Sequence, residues 1–161
     1  MFRSFPTFVL GLAFAVVGSA GERHSVGFDN ACGFGTPTLI SGSGEVLSTG
    51  SAHTVNAGLN ARAFLQTGDC GSDGARCTMV EMNLGAQSFV DISVMSGFSV
   101  ETAFEFVNQC SGRGASCPNE DCPNAIRSPT DGSALVMCPS QDVDLLVRLD
   151  ATTAPALEVG P

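Results

Sequence analysis

The chain has 161 residues and a formal net charge of −9, with seven arginines, no lysine and sixteen acidic residues. This balance excludes nucleic acid and anionic membrane surfaces as expected partners. The acidity indicates either solubility in an extracellular medium or a surface that attracts a cation or performs acid–base chemistry.

The first twenty residues have the pattern of a secretory signal peptide. Arg3 precedes an apolar run from Phe8 to Val17, and the small residues Gly18 and Ala20 flank the expected cleavage site. A membrane-spanning helix needs about 20 apolar residues, so a membrane anchor is the less favoured alternative. We therefore expect a secreted, extracellular protein with no membrane insertion.

The mature domain, residues 21–150, is predicted to be all-β. Short apolar stretches alternate with Gly, Ser, Asn and Pro clusters, and no stretch sustains the 3.6-residue helical period. About ten strands at this spacing predict an antiparallel β-sandwich or flattened barrel with disulfide-stapled loops, one of them at residues 111–132. Residues 151–161, rich in small residues and Thr, are expected to form a flexible tail. The predicted strands are Ser25–Phe28, Thr38–Ile40, Glu45–Ser48, His53–Val55, Ala61–Thr67, Thr78–Leu84, Ser88–Val94, Phe104–Val107, Ala134–Met137 and Val143–Leu149.

Two of these strands, joined by the three residues Gly85–Gln87, predict a hairpin of defined register. The alternation of apolar and polar side chains pairs Met82 with Val90 in the core. Directly opposed residues share a face, so Glu81 and Asp91 then lie together on the other face, about 4.5–5.5 Å apart at Cβ. Their repulsion requires compensation by an arginine, a bound cation or a shared proton.

Arg62 is the arginine nearest in sequence to this pair. It points to the face of its strand opposite Ala61 and Ala63, which predicts one charged cluster of Arg62, Glu81 and Asp91. Alternation also places Phe89 beside Asp91, although a single phenylalanine more often fills a core.

Seven cysteines in a secreted chain predict three disulfides and one odd cysteine. The pairs Cys70–Cys77 and Cys117–Cys122 can close short loops, which leaves Cys110–Cys138 for a long one, although sequence alone leaves the connectivity open. Cys32 is then expected to be free, buried, or bonded to another molecule of an otherwise monomeric protein. A zinc site is the alternative, but no Cys-x-x-Cys pair occurs and both histidines are remote in sequence, so we predict no metal and no cofactor.

A series of short motifs runs in order over about residues 25–149. They are Phe28-Asp29-Asn30-Ala31-Cys32, Ala61-Arg62, Thr67-Gly68-Asp69-Cys70, Cys77, Glu81-Met82-Asn83-Leu84, Asp91-Ile92-Ser93, Gly97-Phe98, Cys110, Cys122-Pro123 and Cys138-Pro139. In kind and order these motifs resemble the thaumatin-like superfamily, with this chain as a small, single-domain member. The resemblance supports the pairs Cys70–Cys77 and Cys110–Cys138; the counterparts of Cys117 and Cys122 pair elsewhere in larger members.

The resemblance implies an acidic cleft that holds one arginine, one glutamate and three aspartates. Arg62, Glu81 and Asp91 take the places of the arginine, the glutamate and the first aspartate. Ser96 stands where the second aspartate belongs, and the third belongs to a large loop domain that this chain lacks. The cleft is therefore expected to be reduced.

Three classes of function remain open. The resemblance favours a secreted protein that binds cell-wall carbohydrate, β-1,3-glucan, through a cleft of Arg62, Glu81, Phe89, Asp91 and Ser96, with an antifungal or cell-wall role. One alternative is a weak β-1,3-glucanase with Glu81 and Asp91 as its catalytic acids. The other is an extracellular structural or interaction protein without sugar binding. We expect no efficient enzyme, because substrate positioning supplies much of catalysis and this cleft has lost a wall.

Overall fold

The computed structural model describes residues 21–149, which form twelve strands in two sheets and no helix. The expected signal peptide and the expected tail lie outside these residues. Within the same range no helix is long and apolar enough to cross a membrane. The strands are β1 (Arg23–Asn30), β2 (Thr36–Ser41), β3 (Val46–Ser48), β4 (His53–Val55), β5 (Leu59–Gln66), β6 (Met79–Leu84), β7 (Ser88–Ser93), β8 (Thr102–Phe106), β9 (Gly114–Cys117), β10 (Ala125–Ile126), β11 (Val136–Cys138) and β12 (Asp142–Leu149).

The smaller sheet has five strands in the order β4-β1-β12-β8-β9. Its centre is the parallel pair of β1 and β12, which runs in register from Arg23 opposite Asp142 to Asn30 opposite Leu149. Parallel strands need a long crossover connection, and here nearly the whole domain lies between the two. The first and last described strands therefore close the fold against each other.

The larger sheet has seven strands and carries the predicted cluster. Its order is β10-β7-β6-β5-β2-β3, and β11 also pairs with β7. The strand β10 pairs in parallel with Ile92 and Ser93, whereas β11 pairs antiparallel with Ser88, Phe89 and Val90. Two short strands thus extend the sheet beyond β7 at different heights.

Alternation decides which side chains fill the core between the sheets. In β6 the residues Val80, Met82 and Leu84 are buried, and in β7 Val90 and Ile92 are buried. They pack against apolar residues from β1, β8 and β12. The predicted all-β sandwich is confirmed.

The structure corrects the sequence prediction at two points. Residues 111–132, predicted as a loop, contain β9 and β10, and two of the strand pairs are parallel. The strands β9 and β10 are too short to show alternation, and Gly114 in β9 lies so close to β8 that a Cβ atom there would stand 2.0 Å from the carbonyl oxygen of Phe104. A backbone contact of this kind leaves no apolar pattern in the sequence.

The three predicted disulfides are all present. Cys70–Cys77, Cys110–Cys138 and Cys117–Cys122 join Cα atoms 5.5, 5.9 and 5.2 Å apart, respectively. Cys32 is half-buried and belongs to none of these bridges. Three disulfides in one small domain are typical of proteins that fold in an oxidising compartment.

Candidate functional site

Three charged side chains form one row across the larger sheet. Arg62 in β5 lies opposite Glu81 in β6, and Glu81 lies opposite Asp91 in β7. The register predicted for the β6–β7 hairpin is confirmed, including Met82 opposite Val90. Because opposed residues share a face, the row lies on the outer face of the sheet, away from the core.

A groove of about 220 Å³ runs along this row and is called here the acidic groove. Its polar side chains come from three adjacent strands, β5, β6 and β7, and its apolar lining comes from the same strands and from the residue that precedes β11. The polar residues are Asn60, Arg62, Glu81, Asn83 and Asp91, and the apolar side chains include Phe89 and Leu135.

Asp91 is the most perturbed group in the acidic groove. Burial, followed by the negative charge of Glu81, raises the pKa of Asp91 to about 7. Its Oδ1 atom is buried and has no hydrogen-bond partner. Asp91 therefore holds a proton over much of the range below neutral pH, and a protonated carboxyl both donates and accepts hydrogen bonds.

Arg62 is placed in the row as predicted, but its guanidinium does not pair with the carboxylates. Its Nη1 atom donates to the carbonyl oxygen of Asp73 at 3.4 Å. None of the ion pairs among residues 21–149 involves Arg62, Glu81 or Asp91. The repulsion between the two acids is thus relieved by the proton on Asp91 rather than by the arginine.

The loop closed by Cys70 and Cys77 adjoins the acidic groove through the hydrogen bond from Arg62 to Asp73. It covers the other half of the same sheet face, where Ile40, Phe64 and Met79 are buried with the two cysteines. The chain passes so near this small cluster at Gly74 that a Cβ atom there would stand 2.7 Å from the Met79 sulfur and 3.0 Å from the Phe64 ring. The disulfide loop therefore covers this part of the outer face of the larger sheet.

Leu135 lines the acidic groove on the side away from the disulfide loop, and the sequence did not predict it as a site residue. It is 40% exposed and lines the groove beside Phe89. Asn60 and Asn83 were also missed, although they are opposed to each other and have the same alternation parity as Arg62 and Glu81. Alternation could have identified both asparagines, but it carried no signal for Leu135, whose position depends on how β11 pairs.

Ser96 lies apart from the acidic groove. It is exposed in the turn that follows β7, where the Gly97 N–H donates to the Val94 carbonyl at 3.1 Å, and it is not among the groove-lining residues. The structure therefore brings together Arg62, Glu81, Phe89 and Asp91 of the predicted cleft and leaves Ser96 outside it.

The arrangement is suited to neutral, hydroxyl-rich ligands more than to metal ions. Among the described residues no group of three or more His, Cys, Asp or Glu side chains could hold a metal ion. The acidic groove instead offers an arginine and two amides as donors, a carboxylate acceptor in Glu81, and a carboxyl group in Asp91 that does both.

Comparison with known proteins shows the fold and no nearer relationship. No protein-family model matches the sequence, and neither does any curated protein. Among solved structures the chain is similar to a thaumatin-like xylanase inhibitor, with 15% identity and a TM-score of 0.52, over 78% of this chain and 97% of the inhibitor chain. At this identity the likeness concerns the fold. The resemblance noted in the sequence is confirmed at that level: this chain has the thaumatin-like fold.

Proposed function

We propose that the chain is a secreted protein whose acidic groove binds cell-wall carbohydrate, with β-1,3-glucan as the polymer, and does not hydrolyse it efficiently. The observation that carries this proposal is the carboxyl group of Asp91, which belongs to a groove-lining residue beside Glu81 and stays protonated below about pH 7. A protonated carboxyl both donates and accepts hydrogen bonds, and a ligand hydroxyl does the same.

The remaining polar groups of the groove fit the same ligand. A sugar hydroxyl both donates and accepts, so it pairs with a protonated Asp91, with the carboxylate of Glu81 or with the amides of Asn60 and Asn83. Arg62 supplies a further donor at the end of the row. A neutral polymer also avoids the repulsion that an anionic ligand would meet on a chain of net charge −9.

A weak β-1,3-glucanase is the second candidate, because Glu81 and Asp91 have the properties of an acid pair. Their Cβ atoms stand about 4.5–5.5 Å apart as directly opposed residues. A carboxyl with a pKa of about 7 beside another carboxyl fits a general acid and a nucleophile of a retaining glycosidase. The groove is open and shallow, however, and such a site positions its substrate poorly.

The third candidate is the interaction protein that the sequence left open, and the comparison gives it a class of partner. The similar solved structure is by name a xylanase inhibitor. An interaction protein of this kind would bind a polysaccharide-degrading enzyme and would not need the polymer.

The experiment is a co-sedimentation assay with insoluble β-1,3-glucan, combined with an assay for released reducing sugar. We expect the wild type to sediment with the glucan and to release no sugar, and Glu81→Gln to remain in solution. Glu101→Gln, a change outside the groove, is the control and should sediment as the wild type does.

Each other outcome selects one of the alternatives. Release of sugar by the wild type and not by Glu81→Gln would establish the glucanase. A wild type that neither sediments nor releases sugar would contradict the proposed function. Inhibition of a purified xylanase would then support the interaction protein.

A further inference from the structure

We infer that Phe89, Leu135 and Met137 form an apolar platform at the edge of the acidic groove that receives the C–H face of a pyranose ring. This inference rests on the proposed function of the groove and names the part of the ligand that these residues recognise. Nothing in the chain sequence groups the three residues, because β11 reaches β7 only in the folded structure.

The pairing of β11 with β7 creates the platform. Met137 lies directly opposite Phe89, so their side chains share the outer face of the sheet, with Cβ atoms about 4.5–5.5 Å apart. Leu135 stands two residues earlier and lines the groove itself. Met137 and Leu135 are 44% and 40% exposed, so apolar surface is available beside the polar row.

The backbone that carries Met137 is held on both sides. On one side β11 pairs with β7, and on the other the Nη1 atom of Arg113 donates to the Met137 carbonyl at 3.1 Å. The next residue, Cys138, is fully buried and is bonded to Cys110. The backbone beneath the platform therefore needs little further ordering when a ligand binds.

The surroundings of the platform identify a sugar as the occupant. A pyranose ring presents a C–H face to apolar side chains and a rim of hydroxyls to polar ones. Phe89 and Leu135 of the platform line the same groove as the Glu81–Asp91 pair. A second copy of the chain would bring its own acidic groove and a net charge of −9 against the first. The groove volume of about 220 Å³ lies below the ~300–1,000 Å³ of pockets for drug-sized ligands, which suits one unit of a longer polymer.

Met95 provides a matched control for this inference. It is 43% exposed, nearly the same as Met137, but it follows β7 at its far end and does not line the groove. Isolated exposed apolar residues of this kind are common on protein surfaces and indicate no function.

The first test titrates a linear β-1,3-linked glucose oligomer into the wild type and two variants by calorimetry. We expect the double variant Leu135→Gln/Met137→Gln to bind about tenfold more weakly, because the ring no longer covers apolar surface. Met95→Gln should change the affinity by less than about twofold. Wild-type affinity in the double variant would overturn the platform and leave the function of the groove standing.

The second test needs no variant and so does not depend on how a variant folds. Methyl NMR of the methionine-labelled wild type should show the Met137 methyl signal moving on addition of the oligomer, while the Met95 signal stays in place. Binding without a change at Met137 would overturn the platform alone. A wild type that binds no oligomer would contradict the platform and the proposed function together.

Discussion

Glu81 lies directly opposite Asp91 in adjacent strands, and its charge adds to the effect of burial in raising the pKa of Asp91 to about 7. Arg62, on the other side of Glu81, hydrogen-bonds to the backbone of Asp73 and pairs with neither acid. Asp91 therefore keeps its proton up to about neutral pH, and we expect the stability of the protein and its ligand binding to depend on that proton.

The free energy of unfolding should decrease as the pH rises from about 4 to about 7. The pKa of Asp91 is near the ordinary value of 3.8 in the unfolded chain and about 7 in the folded one, so the folded state binds more protons within this window. Asp91→Asn removes the ionisation. Measured by urea unfolding with circular dichroism, the variant should match the wild type near pH 4 and exceed it by about 1–3 kcal/mol at pH 8, after allowance for solvent screening.

The exposed aspartate Asp69 provides the control for this effect. Asp69→Asn should leave the pH dependence of the wild type intact, since Asp69 lies outside the groove. If Asp91→Asn and Asp69→Asn follow the same curve as the wild type between pH 4 and 8, Asp91 is not the group responsible.

Gly74→Ala should destabilise the protein much more than Gly44→Ala. Both glycines have positive φ angles, 86° and 89°, so the backbone strain from a side chain is similar at the two positions. Gly44 faces open space, whereas a Cβ atom at Gly74 would clash with Met79 and Phe64. We expect a difference of about 1–3 kcal/mol between the two variants in urea unfolding. Equal effects would show that the disulfide loop does not pack on the sheet as described.

Removal of the Cys70–Cys77 disulfide should weaken both the fold and the groove. The bridge closes a loop with a sequence separation of 7, and its loss in Cys70→Ala/Cys77→Ala should cost about 2–3 kcal/mol. The same loop supplies the Asp73 carbonyl that holds Arg62. Glucan affinity should therefore fall along with stability. An unchanged affinity in the folded double variant would show that the position of Arg62 does not contribute to glucan binding.

The part of the site that lies on β6 and β7 could be predicted because a hairpin is local. A three-residue connection and alternating side chains leave one register that buries Met82 with Val90, and that register brings Glu81 to Asp91. The same alternation places Arg62 on the outer face. Alternation does not determine which group the long, flexible side chain of Arg62 contacts, so its hydrogen bond to the Asp73 carbonyl could not be predicted.

The part of the site near β11 could not be predicted because its pairing is not local. Leu135 and Met137 lie more than forty residues after β7 in the chain, and β10, which lies between β7 and these residues in sequence, also pairs with β7. Strands of two or three residues, such as β10 and β11, carry too little pattern to specify their partners. The parallel pairing of β1 with β12 was not predicted because these two strands lie at opposite ends of the domain sequence.

The pH dependence of glucan binding tests the central claim most directly. If protonated Asp91 donates a hydrogen bond to the ligand, affinity for a linear β-1,3-linked glucose oligomer should stay constant below about pH 6. It should then fall about tenfold for each pH unit above 7. Asp91→Asn, whose amide donates at every pH, should bind without this decline. Calorimetric titrations that show pH-independent binding by the wild type, or no binding at any pH, would contradict the account.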